Sequence, residues 1–310
     1  MTAMMDIAVA ALTAVVGPGF MASEPVHTAI VVGGGAALVS AVIGVFTVIR
    51  GQSFAGHALA DISSAGGAAS FLLGVSPLLG FLVMAMLAAA GMELVQIRRP
   101  RERDLVTGVV LGAGLGLAAL FLYLDVTSHS TTGAAITVMF GSMFAVPASI
   151  VTPALAVGAG SLILVAVLYR PLLLSCVDAE LAAIQGVRVR LVGLLHLLAL
   201  ALAVSLSAIT VGAILSTALL IGPAAIALRI AKRPGHAVLL SALIGVLVTW
   251  TGILLAWESY YWTPGHGWPV SFFVVTLIFF LYVAAGRWTG KHERTRATDV
   301  VPVGVQQREG

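Results

Sequence analysis

The sequence repeats apolar segments of about 20 residues along most of its length, and this repetition limits the folds open to the chain. A helix of that length crosses a hydrocarbon core of about 30 Å. Only 9% of the 310 residues are charged, whereas soluble domains carry about 25%. Segments of about ten residues with alternating hydrophobicity, which are typical of membrane β-barrels, do not occur in the sequence. The sequence therefore predicts an all-α, polytopic bundle of transmembrane helices.

The apolar segments divide the chain into about nine predicted spans, with a range of about eight to ten. The predicted transmembrane domain covers residues 28–287. Residues 1–27 are expected to form an N-terminal interfacial segment or an extra span. Residues 288–310 are charged and poor in aromatic residues, which predicts a disordered cytoplasmic tail. Residues 134–147 are too short to cross a bilayer comfortably and are expected to be re-entrant. The predicted spans are residues 28–49, 53–74, 77–97, 104–124, 150–169, 191–209, 211–229, 237–257 and 270–287.

The basic residues indicate which side of the membrane each loop faces. All 16 Lys and Arg residues lie in the predicted loops of one side or in the C-terminal tail. The positive-inside rule makes that side cytoplasmic, which predicts a multi-pass protein of the plasma membrane with a cytoplasmic C-terminus. The opposite loops include residues 257–269, WESYYWTPGHGWP, whose Trp and Tyr are typical of an anchor at the lipid interface. The formal charge of +3 comes from loop residues and does not indicate nucleic-acid binding.

A histidine and an aspartate stand one helical turn apart inside the second predicted span. Asp61 lies about 16 Å along a helix from Arg50, and therefore near the bilayer centre. His57 shares its helix face. An isolated Asp at that depth costs about 2.5–3.5 kcal/mol, so it requires a partner or a function. The following residues, 63–70, are all Ser, Ala or Gly, which allows close helix approach or an aqueous opening.

The chemistry of this pair suits a transition metal. An imidazole nitrogen and a carboxylate oxygen are together half of a binding site for Zn²⁺, Mn²⁺ or Fe²⁺. The alternative is that Asp61 only orients His57 through a structural hydrogen bond. Because two ligands make a weak site, a second copy of the chain or water molecules would have to complete it.

Six segments, in the same order and with similar spacing, resemble the ABC-3 family of permeases, the membrane subunits of zinc, manganese and iron ABC transporters. The likeness runs from about residue 28 to residue 286. The segments are GVFTVIRGQSFAGHALADISSAG at 44–66, RDLVTGVVLGAGLGLAALFL at 103–122, FGSMFAV at 140–146, CVDAELAAIQGV at 176–187, SAITVGAILSTALLIGPAAIALRI at 207–230 and SYYWTPGHGWPV at 259–270.

The resemblance assigns a role to His57 and Asp61, with one departure from the family pattern. The family block reads Gly-Asp-x-x-x-His-Ala, and its Asp and His contribute to a metal site in the transport pathway. Here the order is reversed, so that His57 takes the Asp position and Asp61 takes the His position. The resemblance therefore implies that both residues bind metal, with an effect of the reversal on metal preference and geometry.

The resemblance also implies an assembly. It is that of a bacterial ABC importer for Zn²⁺, Mn²⁺ or Fe²⁺, in which the metal is cargo and no cofactor is permanently bound. The membrane subunit works in such an importer as a homodimer in lipid, with cytoplasmic ATP-binding subunits and an extracytoplasmic metal-binding protein. Asp178, Glu180 and Gly186 then belong to the surface that contacts the ATPase, although a solvated connector is the ordinary alternative. Pro223 interrupts span seven, either as a simple kink or as a hinge that moves during transport.

The sequence also bears on two other functional classes, an enzyme and a secondary transporter. The chain has no Gly-x-x-x-x-Gly-Lys-Ser/Thr loop, so it is not expected to be an enzyme, and ATP hydrolysis is expected on a partner chain. An intramembrane metalloenzyme is disfavoured because the sequence lacks a His-Glu-x-x-His motif. The remaining alternative is a stand-alone, ion-coupled secondary transporter of a metal or small solute. Such transporters usually contain inverted repeats, which we do not detect here.

Overall fold

The secondary structure of the part of the chain that the structure describes consists of helices joined by short links. That structure is a computed structural model. It describes residues 19–20, 23–94, 100–129, 133–141, 143–262 and 267–299. The helices are α1 (Glu24–Ile49), α2 (Ser53–Leu73), α3 (Pro77–Leu94), α4 (Pro100–His129), α5 (Ala134–Phe140), α6 (Ala148–Val177), α7 (Ala179–Ile184), α8 (Val189–Val211), α9 (Ala213–Ile230), α10 (Pro234–Trp262) and α11 (Val270–Asp299).

The long helices follow the predicted spans in order. The nine described helices other than α5 and α7 each contain at least 18 residues and overlap one predicted span each. Seven of them are long and apolar enough to cross a membrane. The exceptions are α2, in which Ser, Gly, His and Asp dilute the apolar residues, and α3, whose apolar part is the shorter segment Pro77–Glu93. The all-helical prediction is confirmed. The structure does not confirm the count of nine spans, which stays a prediction.

Several segment boundaries differ from the sequence prediction. Helix α6 continues to Val177, through residues predicted to lie in a loop, because Leu172 is completely buried in the core and holds that turn in place. Helix α11 continues to Asp299, past residue 287, where the predicted tail begins. Residues 1–18 and 300–310 lie outside the described residues, so the N-terminal segment stays a prediction, and disorder of the tail stays a prediction for residues 300–310.

The predicted re-entrant segment, residues 134–147, is not a full-length helix. It contains the seven-residue helix α5 and a short 3-10 turn at Met143–Ala145. Helix α5 ends against the link between α8 and α9, which is the single residue Gly212. A Cβ atom at Gly212, where φ is +93°, would lie 2.3 Å from the carbonyl oxygen of Met139. This close approach requires glycine and seats α5 beside the start of α9.

Helices α1 and α8 form the centre of the bundle. About three quarters of each central segment is buried, against 22% for α4 and for α6. Helix α1 packs against α6, α8, α9 and α10. Its Ser40 hydroxyl lies 2.5 Å from the Ser207 hydroxyl of α8, and a Cβ atom at Gly44 would lie 1.9 Å from the Leu220 carbonyl oxygen of α9. These contacts bring α9 close to the central pair.

Helix α2 is enclosed by small-residue contacts. It packs against α3, α4, α8 and α9. A Cβ atom at Gly66 would lie 2.0 Å from the Gly80 carbonyl oxygen of α3, and one at Gly114 of α4 would lie 2.9 Å from the Ile62 Cα atom. Of the two uses predicted for the small residues at 63–70, the described structure shows close helix approach.

Candidate functional site

His57 and Asp61 meet on one face of α2, as the four-residue spacing predicts. The Nε2 atom of His57 lies 3.5 Å from the Oδ2 atom of Asp61. The imidazole is partly accessible, with 41% of the side chain exposed, whereas the Asp61 side chain is 7% exposed. The pair therefore presents a reachable nitrogen beside a buried carboxylate.

The surroundings of Asp61 supply little compensation for its charge. Within the described residues, the polar partner of its carboxylate is His57. The nearby Ser64 hydroxyl donates instead to the backbone carbonyl of Asp61, at 2.5 Å. An ionised carboxylate in an apolar helix with one partner is unfavourable, and a bound cation would offset that cost. The site is thus chemically suited to a passing cation.

The distance between the two ligand atoms suits shared coordination of one ion. Bonds of about 2.1 Å at the tetrahedral angle place two ligand atoms about 3.4 Å apart. The His57 Nε2 and Asp61 Oδ2 atoms are 3.5 Å apart. The described residues contain no group of three or more His, Cys, Asp or Glu side chains that could hold a metal. One chain therefore offers two ligands of this kind, which is half of a four-coordinate site.

A third residue contacts the pair, and the sequence analysis missed it. The Oγ1 atom of Thr217, on α9, lies 3.0 Å from the Nδ1 atom of His57. The two residues are 160 positions apart in the chain. No local pattern indicates such a contact, because it depends on how α2 and α9 pack.

His196 is a buried histidine with a different environment. His196 on α8 is completely buried, and its Nε2 atom lies 3.4 Å from the Thr47 hydroxyl of α1. That arrangement is a core contact between two central helices. Another acidic residue, Glu93 at the end of α3, lies 3.9 Å from the Arg190 guanidinium. Of these groups, the His57–Asp61 pair provides both a nitrogen and a carboxylate as metal ligands, and its imidazole is accessible from outside the bundle core.

The segment predicted to contact an ATPase forms a capped, exposed helix. The Oδ1 atom of Asp178 accepts hydrogen bonds from the backbone amides of Glu180 at 2.9 Å and Leu181 at 3.0 Å. This is the N-cap of α7. Gly186, with φ of +83°, follows the helix in the left-handed region that favours glycine. Ile184 is 83% exposed, so α7 presents an apolar side chain beside its acidic start.

Pro223 lies inside α9, which continues as a helix on both sides of it. Proline cannot donate a backbone hydrogen bond, so α9 lacks one bond of its ladder at this position. The side chain is buried, and the neighbouring Gly222 touches Ile278 of α11 closely. A weakened but continuous helix follows from these facts, whereas movement about Pro223 stays a prediction.

An aromatic cavity of about 620 Å³ opens between the first residues of α1, the end of α10 and the start of α11. Trp257, Tyr260, Tyr261 and Trp268 contribute to its wall. All four belong to the described part of the segment that the sequence predicts as an interfacial anchor, residues 257–269. Thr210, near the end of α8, also lines the cavity, whereas α7 precedes the start of α8. The cavity therefore lies at the end of the bundle opposite to α7.

Known proteins with similar sequences and structures place the chain in a family. The profile of the ABC 3 transport family matches residues 22–286. The manganese import system permease protein ScaB of Streptococcus parasanguinis is 32% identical over 232 residues, which is 74% of this chain and 80% of ScaB. The high-affinity zinc uptake system membrane protein ZnuB of Haemophilus influenzae is 28% identical over 220 residues, which is 68% of this chain and 82% of ZnuB.

A solved structure shares the fold. It is that of PsaBC from Streptococcus pneumoniae in complex with Fab, and the match has a TM-score of 0.74 at 23% identity. The match covers 86% of this chain and 92% of the solved chain. With a family profile that covers most of the sequence and a relative at 32% identity, the chain belongs to the ABC 3 transport family.

Proposed function

We propose that this chain is the membrane-spanning subunit of an ABC importer that moves a divalent transition metal, Mn²⁺, Zn²⁺ or Fe²⁺, into the cytoplasm. The observation that carries the proposal is the His57–Asp61 pair, whose ligand atoms lie 3.5 Å apart within an apolar helix. A nitrogen and a carboxylate oxygen suit each of these metals. The manganese and zinc named in the descriptions of ScaB and ZnuB support this class of cargo.

The transmembrane topology follows from the long helices and the basic residues. The nine long helices are the spans; neighbouring helices enclose α2 and offset its weaker hydropathy, and α3 is apolar but shorter than the others. Arg50 lies at the end of α1, and Lys232 and Arg233 lie between α9 and α10. The positive-inside rule places these residues, α7 and the C-terminus in the cytoplasm. The aromatic cavity is then on the outer side, where an extracytoplasmic metal-binding protein would dock.

A homodimer completes the metal site. Two copies of His57 and Asp61 provide two nitrogens and two carboxylates, which is enough for four-coordinate binding near a two-fold axis. The metal is cargo and leaves the site at each cycle.

Energy for transport comes from a separate ATP-binding subunit. Helix α7, with Asp178, Glu180 and Gly186, is the surface that contacts this subunit, since its exposed apolar and acidic side chains are available for a partner. Pro223 is the hinge of α9, because the missing hydrogen bond reduces the cost of bending there. Movement at α9 would reach His57 through the packing of α9 on α2.

Uptake by reconstituted vesicles tests the proposal. The chain and its ATP-binding subunit are reconstituted together, and accumulation of radioactive Mn²⁺ or Zn²⁺ is measured with the extracytoplasmic metal-binding protein added to the substrate side. We expect accumulation that requires ATP and the ATP-binding subunit. Accumulation by the permease alone, driven by a proton or sodium gradient, would instead identify a secondary transporter and contradict the proposal.

A further inference from the structure

The Thr217 hydroxyl forms its hydrogen bond across to another helix. Serine and threonine side chains in helices commonly bond to a carbonyl of the preceding turn. Thr210 and Thr251 do so here, to the carbonyl oxygens of Leu206 and Leu247. The described hydrogen bond of Thr217 goes instead to another helix, to the Nδ1 atom of His57 at 3.0 Å. The hydroxyl is therefore directed at the candidate metal site.

The contacts of the His57 ring distinguish its two nitrogens. Nε2 faces the Asp61 carboxylate at 3.5 Å, and Nδ1 faces the Thr217 hydroxyl at 3.0 Å. Metal shared by His57 and Asp61 would therefore bind Nε2, on the side of the carboxylate. Nδ1 would carry the ring proton, and that N–H would donate to Thr217. A histidine ligand generally needs such a partner to fix its tautomer and ring orientation.

We infer that Thr217 is the positioning residue of the metal site, holding the His57 ring so that Nε2 faces the ion. The inference rests on the proposed function of His57 and Asp61 as the cargo site. Thr217 acts through His57 and is not itself a ligand, because its hydroxyl lies on the Nδ1 side of the ring.

A hydroxyl suits the position behind the ring, because it can accept a hydrogen bond from an N–H group or donate one to a bare nitrogen. With metal at Nε2, the Thr217 oxygen would accept the hydrogen bond from the His57 Nδ1–H group.

Cobalt binding to the purified full-length permease tests this role. Co²⁺ replaces the cargo, and its visible absorption reports nitrogen and oxygen ligation directly. We expect Thr217→Val, which keeps the shape and removes the hydroxyl, to weaken Co²⁺ affinity about tenfold, as loss of a partner behind a histidine ligand does. Thr217→Ser keeps the hydroxyl and should bind within about threefold of the wild type. Thr217→Ala serves as a second variant without the hydroxyl if the valine variant is recovered poorly.

The matched control is Thr251→Val, which removes an exposed helical hydroxyl that bonds within its own helix, and it should bind Co²⁺ like the wild type. Wild-type affinity in both variants without the hydroxyl would overturn the inference, as would equal weakening in Thr217→Ser. Asp61→Ala in the same titration separates the two proposals. If Asp61→Ala binds Co²⁺ normally, the metal site itself is wrong. If only Asp61→Ala loses binding, the site stands and the role of Thr217 is wrong.

Discussion

Gly66 on α2 and Gly80 on α3 approach so closely that neither position has room for a side chain. A Cβ atom at Gly66 would lie 2.0 Å from the Gly80 carbonyl oxygen, and one at Gly80 would lie 2.2 Å from the Gly66 carbonyl oxygen. Cβ atoms in proteins essentially never come closer than 3.0 Å, so Gly66→Ala requires the backbones to separate by about 1 Å. Overpacking of this kind costs about 1–3 kcal/mol. We therefore expect Gly66→Ala to destabilise the packing of α2, the helix that carries the candidate site.

The apparent unfolding midpoint of the detergent-solubilised protein, compared at one scan rate, measures this effect. An unfolding entropy of about 2.1 cal/mol/K per residue converts the cost into a fall of about 2–5 °C for a chain of 310 residues. Gly91→Ala is the matched control on α3, because a Cβ atom there meets open space. Its midpoint should stay level or rise, since alanine favours helix. Equal midpoints for the Gly66 and Gly91 variants would refute the packing argument.

Two further predictions concern the cap of α7 and the topology. Asp178→Ala removes two N-cap hydrogen bonds and should destabilise α7 by about 1 kcal/mol. The backbone amides of residues 179–184 should then exchange hydrogen roughly fivefold faster than in the wild type. Asp178→Asn, which retains capping ability, should exchange like the wild type, and unchanged rates in the alanine variant would contradict the cap. In a Cys176→Ala background, Ser128→Cys should react with an impermeant maleimide on intact cells, whereas Lys232→Cys should not. Reaction of both cysteines would contradict the nine-span topology.

The helical bundle could be predicted because the length of an apolar run sets the helix it forms in a membrane. Each predicted span overlaps a long helix for that reason. The end of α6 could not be predicted in the same way. Arg170 and Pro171 are typical of a loop, yet the burial of Leu172 in the core keeps the chain helical to Val177. Tertiary packing decided that boundary, and the local sequence does not contain the information.

The candidate site likewise has a part that the local sequence predicts and a part that only the packing of the helices reveals. His57 and Asp61 are four residues apart on one helix, so their proximity follows from helix geometry alone. The acidic start of α7 could likewise be predicted from Asp178 and Glu180 in the sequence. The contact between His57 and Thr217 joins two helices that are distant in sequence, and only the packing of α9 on α2 reveals it. Local spacing thus predicts the candidate ligands, and the fold reveals the residue in contact with His57.

Uptake by Asp61→Ala tests most directly whether Asp61 binds the metal during transport. The measurement is the initial rate of Mn²⁺ or Zn²⁺ uptake, divided by the amount of folded, membrane-inserted permease. We expect loss of uptake with little loss of inserted protein, because the substitution removes a buried charge that costs about 2.5–3.5 kcal/mol to insert. Glu93→Ala, which removes an acidic residue paired with Arg190 outside the site, should transport normally per inserted protein. Normal uptake per inserted protein by Asp61→Ala would contradict the metal site.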